Sequence, residues 1–389
     1  MQVGEPISVA AVAASPPEVE FAAELVSVRF KTPVKTSHTK AEIVGPHWEV
    51  GKEPEIDDDW GAQAKKMRLP VEVYYSRRAA VYLVKRAGKT WEVEVKVKVT
   101  KSKNVSGDAK LEGHLRGLSI EGTCPTAAGE HTITAKITDP PDSIQAYRGK
   151  IAWALAVESA GISANLGTTL AEVYFILGQP TTTPYHKGVW VEVLRFLCGR
   201  VGVRGETDAQ RATQRITTYC HSQHSLHYNT RNGGARYGVG TYGGTFKLAD
   251  YMLRLKKICN CYDQAAAVQA LSAALGVRLL WLYLSPFGFI KPTNLVGVGE
   301  CNNPFFMSNG SERLVAVDSP DRTAFGNHAF VGSGTGNILD ACAGPHIGRE
   351  PLPEYLESSI DDTPSIYRWG FRAGRVSDIV PGRGVRDVK

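Results

Sequence analysis

No run in this 389-residue chain approaches the length of a membrane span, and no basic segment precedes the small apolar residues of positions 1–14. Glu5 and Pro6 interrupt that start, so no cleaved signal peptide is expected. The protein is placed in the cytoplasm, or is exported by a route that needs no such signal, with no membrane insertion. Charge of one sign is scarce too. The net charge of +6 over 389 residues is a mild excess and excludes the dense basic footprint of a nucleic-acid binder. The seven cysteines are odd in number and irregular in spacing, which excludes a disulfide framework and a zinc ribbon.

What is present suffices for two cores, since 43% of the residues are hydrophobic. Residues 1–20 read as a flexible arm ending at Pro16-Pro17. Residues 21–160 are β-rich, with strands expected at Glu24–Phe30, Val71–Tyr75, Ala80–Val84, Trp91–Val99, His131–Ile137 and Lys150–Val157. Trp91–Val99 alternates valines with charged residues, as a half-buried antiparallel strand does. Such a series predicts an all-β sandwich of immunoglobulin-like type. The acidic run Glu53–Asp59 reads as a solvated loop rather than a metal site. Residues 167–178 read as a lead-in strand to a second, α+β unit over 165–389. Helices follow over Val189–Val201 and Asp208–Tyr219, the latter capped by Thr207. The last 40 or so residues, rich in Pro, Arg and Gly, wrap the surface or fray.

The chemistry centres on Cys261. Asn260 is a good N-cap, Asp263 puts a carboxylate in the first turn and Gly276 supplies a stop, so a helix is expected between them. Cys261, Ala265, Val268, Leu271 and Leu275 recur at helical spacing on one apolar face. A thiol at a helix N-terminus or beside an imidazolium has a pKa below the free value of about 8.5, and the thiolate is the nucleophile.

Asn327–Val331 and Asn337–Ala341 are short apolar runs joined by Gly332-Ser333-Gly334-Thr335-Gly336, a hairpin pattern. With the turn centred on Gly334, Val331 faces Asn337, Phe330 faces Ile338 and His328 faces Asp340 on one side of the sheet. A carboxylate on one ring nitrogen fixes the tautomer of the other, which then takes the thiol proton. Each residue also has a plainer reading: a buried small hydrophobe for Cys261, a satisfied sheet histidine for His328 and a strand-end turn residue for Asp340. Asp318 is the rival acid, at a turn next to Pro320; Cys259, Cys301 and Cys342 are rival thiols.

This combination resembles the transglutaminase-like superfamily: a cysteine opening a helix, Asp263 and Ala265 after it, then a His-Ala-aromatic strand and an Asp strand, over roughly residues 165–350. The resemblance implies a papain-like α+β catalytic domain with Cys261 as nucleophile, His328 as base and Asp340 as orienting acid. It implies acyl transfer on amide bonds of protein or peptide substrates, by protease, deamidase or transglutaminase chemistry, with no cofactor. Two departures stand out: Cys259 where the family has Gly, and Phe330 where Trp is common. In that family the second oxyanion donor is an aromatic or amide side chain from the preceding segment, which points to Tyr228 or Gln223. A catalytically silent scaffold used for binding is the alternative. The β-rich unit could dock a protein partner or a delivery apparatus.

Three further features need weighing. His221, His224 and His227 form an H-x2-H-x2-H run, read as polar residues at a helix end or as a metal-binding pair with no matching carboxylate. Gly238–Gly243 matches G-x-G-x-x-G but lacks the strand-turn-helix context of a nucleotide site. With Tyr228, Tyr237 and Tyr242 it forms either a substrate-lining loop or a plain surface loop. Trp281, in an apolar run, is expected in the core.

Overall fold

The computed structural model describes residues 18–37, 47–50, 79–85, 89–285, 288–361 and 379–389. The first 17 residues of the expected arm, the acidic run Glu53–Asp59 and the expected strand Val71–Tyr75 lie outside them.

Among the described residues nine strands build the first large sheet: β1 (Glu20–Lys31), β2 (His47–Glu49), β3 (Ala80–Leu83), β4 (Glu92–Lys103), β5 (Asp108–Leu115), β6 (Leu118–Pro125), β7 (Gly129–Ile137), β8 (Gln145–Val157) and β9 (Ile162–Ile176). They form one sheet in the order β2-β1-β4-β7-β6-β5-β8-β9-β3, antiparallel except for the parallel β9–β3 pair. The two separate sheets of the expected immunoglobulin-like sandwich are not what forms. Long strands accumulate twist, and register shifts in β1 and β9 add local bends, so one sheet curls until β1 packs on β9. The valines of β4 alternate inward and fill the interior with Leu111, Ile133, Trp153 and Phe175. Trp153 donates its indole N–H to Thr169 Oγ1 at 2.9 Å, which removes the cost of burying that group.

The residues expected to lead into a second unit belong to β9 itself. Its side chains divide: Val173 and Phe175 enter the core of the curled sheet, while Tyr174 and Ile176 enter a second core. That second core is built by α1 (Val191–Phe196), α2 (Ala209–Thr218), α3 (Cys261–Ala274), α4 (Leu352–Ser359) and a five-stranded antiparallel sheet. The sheet comprises β10 (Leu280–Leu284), β11 (His328–Gly332), β12 (Asn337–Asp340), β13 (His346–Pro351) and β14 (Ile379–Pro381), ordered β13-β12-β11-β10-β14. Asp208, not Thr207, caps α2, its carboxylate accepting the Arg211 N–H at 2.8 Å. The final strand, Gly384–Val388, pairs with Gly243–Phe246 and is fixed by Gln269, so this end of the chain is tied down. Trp281 is buried, as expected. Among the described residues no helix is long and apolar enough to cross a membrane.

Candidate active site

The helix that carries Cys261 begins as its residues dictate. Asn260 is extended, its side chain accepts the Asp263 N–H at 3.1 Å, and Asp263 returns a bond to the Asn260 N–H at 3.2 Å. This capping box satisfies two donors that an open helix end would leave bare. The helix is not one-faced as its spacing suggested. It is buried nearly all round, because its alanines let β11 and neighbouring helices approach closely. Gly276 ends it at φ 80°, with its Cα side against the Gly178 backbone.

The hairpin is formed, with a register two residues from the expected one. Val331 pairs with Leu339 and Gly332 with Ile338. Ser333 N–H donates to the Asn337 carbonyl at 2.8 Å and Ser333 Oγ accepts the Asn337 N–H at 3.1 Å, so the loop centres on Thr335 rather than Gly334. A shift of two leaves every side chain on its expected face. Asp340 is therefore diagonal to His328 rather than opposite it, and diagonal neighbours remain within reach.

His328 Nε2 donates to Asp340 Oδ2 at 2.7 Å, and both side chains are fully buried. Cys261 is near enough to act on the imidazole electrostatically. Burial by itself would depress the imidazole pKa. The Asp340 charge and hydrogen bond, with a smaller contribution from Cys261, outweigh it and push the pKa up to about 10. Asp340 is likewise opposed by burial, yet its pKa is held below the usual carboxylate value by His328, His346 and the Cys342 N–H. Its Oδ1 accepts the N–H groups of Cys342 and Ala343 at 2.7 and 3.3 Å. Its Oδ2 takes a second donor, the Tyr355 hydroxyl, at 3.0 Å. Phe325 and Phe330 flank the imidazole, with ring centroids 5.4 and 5.8 Å away. Cys261 is 4% exposed.

Of the other residues singled out, Tyr228 lies near the thiol. It pairs with Cys259 across a short parallel bridge, packs edge-on against Phe325 at 5.5 Å, and its phenol pKa is raised well above 10, first by burial and then by Cys261. Tyr242 is 60% exposed, at the outer end of a row of rings running through Tyr283 to Tyr262, the neighbour of Cys261. Gln223 stands apart: it ends the extension of α2, exposed beside Glu206 and Arg215. The stretch upstream of Tyr242 is anchored to α3, because Asp263 accepts the N–H groups of Arg236 and Tyr237 at 2.8 and 2.9 Å.

Asp318 sits exposed in a turn. Cys259, Cys301 and Cys342 are buried free thiols, and burial raises the pKa of each. The three histidines of the H-x2-H-x2-H run diverge: His221 bonds the Asn294 carbonyl, His224 the Tyr251 carbonyl and His227 the Gly297 carbonyl. Among the described residues no cluster of three His, Cys, Asp or Glu side chains is placed to hold a metal ion.

Sequence reasoning missed Tyr355. Its signal was weak, a single tyrosine in an amphipathic stretch far along the chain from His328.

No family model and no curated protein matches the chain. Among solved structures, a transglutaminase of red sea bream is similar over 75% of this chain and 53% of its own length, at 14% identity and a TM-score of 0.38. The chain thus spans about half the length of that protein.

Proposed function

We propose that this protein is a thiol enzyme that transfers acyl groups from amide bonds of protein or peptide substrates. The observation that carries the reading is the buried His328–Asp340 pair at 2.7 Å, with Cys261, at the first position of a capped helix, acting on the same imidazole. With Nε2 held by Asp340, Nδ1 is the ring nitrogen left for the thiol. His328 takes the proton from Cys261, and the thiolate attacks a carboxamide or peptide carbonyl. The tetrahedral adduct collapses to a thioester as ammonia or an amine leaves with the proton from His328. Water then releases acid, giving proteolysis or deamidation; an amine gives transamidation. The Cys261 backbone N–H and the Tyr228 phenol are assigned to the oxyanion.

The test is alkylation by a small reagent, iodoacetamide, across pH, with peptide mapping, on the wild type and on His328→Ala. The expected result is that Cys261 labels fastest and loses that lead without His328. A Cys261 no more reactive than Cys259 and Cys342 in the wild type refutes the reading and leaves a binding scaffold.

A further inference from the structure

Beside Tyr228 a groove of about 750 Å³ opens to solvent, within the size range of ligand sites. Ile258, three residues before Cys261, lies on its wall, and Tyr228 on the same wall pairs with Cys259, two residues before the thiol. Ile258, Val298, Phe306 and Met307 make its lining largely apolar, and Met307 stands 58% exposed. Its charge is of one sign. Arg231, Arg236 and Arg313 line it, and no acidic side chain among the described residues does. Among those residues none of the three guanidinium groups belongs to an ion pair. Arg313 spends one N–H on the Val298 carbonyl at 3.0 Å and keeps its other donors. Arg236 also feels Asp263, whose oxygens are already engaged by three backbone N–H groups.

We infer that this groove binds the acidic flank of a peptide substrate and so sets the substrate class of the proposed thiol site: amides next to Asp or Glu side chains or a free carboxylate. The inference rests on the thiol-enzyme reading for its purpose but not for its measurement. Each guanidinium is a planar, forked donor, and three such residues lining one largely apolar groove match carboxylates on an extended peptide. They also disfavour lysine-flanked amides by like-charge repulsion.

Binding is measured by fluorescence anisotropy on the full chain carrying Cys261→Ala, with two labelled short peptides that share one Gln and differ in Glu or Lys flanks. The Glu-flanked peptide is expected to bind about tenfold more tightly, from exposed charge pairs of modest strength each. That lead should shrink as salt is raised and vanish in the triple variant R231A/R236A/R313A. The triple lysine variant R231K/R236K/R313K, which preserves charge, should keep part of it and guards against a variant that fails to fold. Equal binding of the two peptides overturns the inference. So does a preference that survives the alanine variant, or an equally tight grip on a single-stranded oligonucleotide of matching charge. Alkylation of wild-type Cys261 is independent of all these outcomes, so either reading can fail without the other.

Discussion

Tyr355 and His328 donate to the same oxygen of Asp340, from opposite elements: the hydroxyl from α4 and the imidazole from β11. The carboxylate is thus held by four donors, two on each oxygen, and has no freedom to rotate away from the imidazole. Tyr355→Phe keeps the ring packing against Phe330 and His346 and removes only the hydroxyl. A hydrogen bond to a charged group contributes about 1.5–3 kcal/mol, so a stability loss of that order is expected in denaturant unfolding. The alkylation profile of Cys261 against pH should shift as well, which a change in packing alone would not produce.

Asp340→Asn removes the charge that holds His328 protonated. The imidazole pKa is raised to about 10, so its contribution is complete below the unfolded value of about 6.5 and is lost as pH rises through the folded one. Asp340 is shifted down, so its contribution is present above about 3.9 and is lost as pH falls below that. The variant should therefore differ most from wild type between about pH 4 and 6.5, by about 3–5 kcal/mol as for other broken buried pairs, and less at alkaline pH. Urea unfolding at several pH values checks the shape.

Asp263→Ala opens the capping box and frees the Arg236 and Tyr237 amides together. The Asn260 side chain still caps the residue-263 N–H, so the cost comes from the N–H groups of Asn260, Arg236 and Tyr237 left without the carboxylate, about 1–3 kcal/mol for each that stays buried. Hydrogen exchange should accelerate at those two amides while the interior of α3 stays protected. Burial pushes the Asp263 carboxyl up to about 6, against the pull of its three N–H partners. The folded state therefore binds more protons than the unfolded one between about pH 3.9 and 6, and stability falls as pH rises through that window. The variant should lose that slope.

Gly276→Ala combines a φ of 80° with a Cβ placed 2.3 Å from the Gly178 carbonyl carbon. Both backbones would have to move, and a loss of roughly 2–4 kcal/mol in thermal or denaturant unfolding is expected.

The parts that sequence made legible are those where local chemistry decides. Asn260, Asp263 and Gly276 marked the helix of Cys261 because caps and stops act within a few residues. The hairpin was found, but its register was not, since the choice between Gly334 and Thr335 as loop centre depends on the Ser333 hydroxyl bonding the Asn337 N–H. The hairpin of β5 and β6 was missed outright. Gly113 and Gly122 weaken the strand signal there, yet a Cβ at Gly113 would meet the Trp153 ring at 2.5 Å. The residue that breaks the local pattern is the one the tertiary packing requires. The contribution of Tyr355 was illegible for the same reason, since it depends on where α4 docks.

The strand β9 also bears on how the molecule comes apart. Its alternate side chains are rooted in two cores, and Glu172, on the same strand, is bound by Arg195 of α1 at 2.6 Å. A fragment ending near residue 160 would leave β8 with an open edge and the first core unsealed. One starting near residue 178 would strip the second core of Tyr174 and Ile176 and leave the Arg195 guanidinium without its carboxylate. The two halves share a wall, so they should melt in a single cooperative step, and damage to the curled sheet should silence the thiol at a distance.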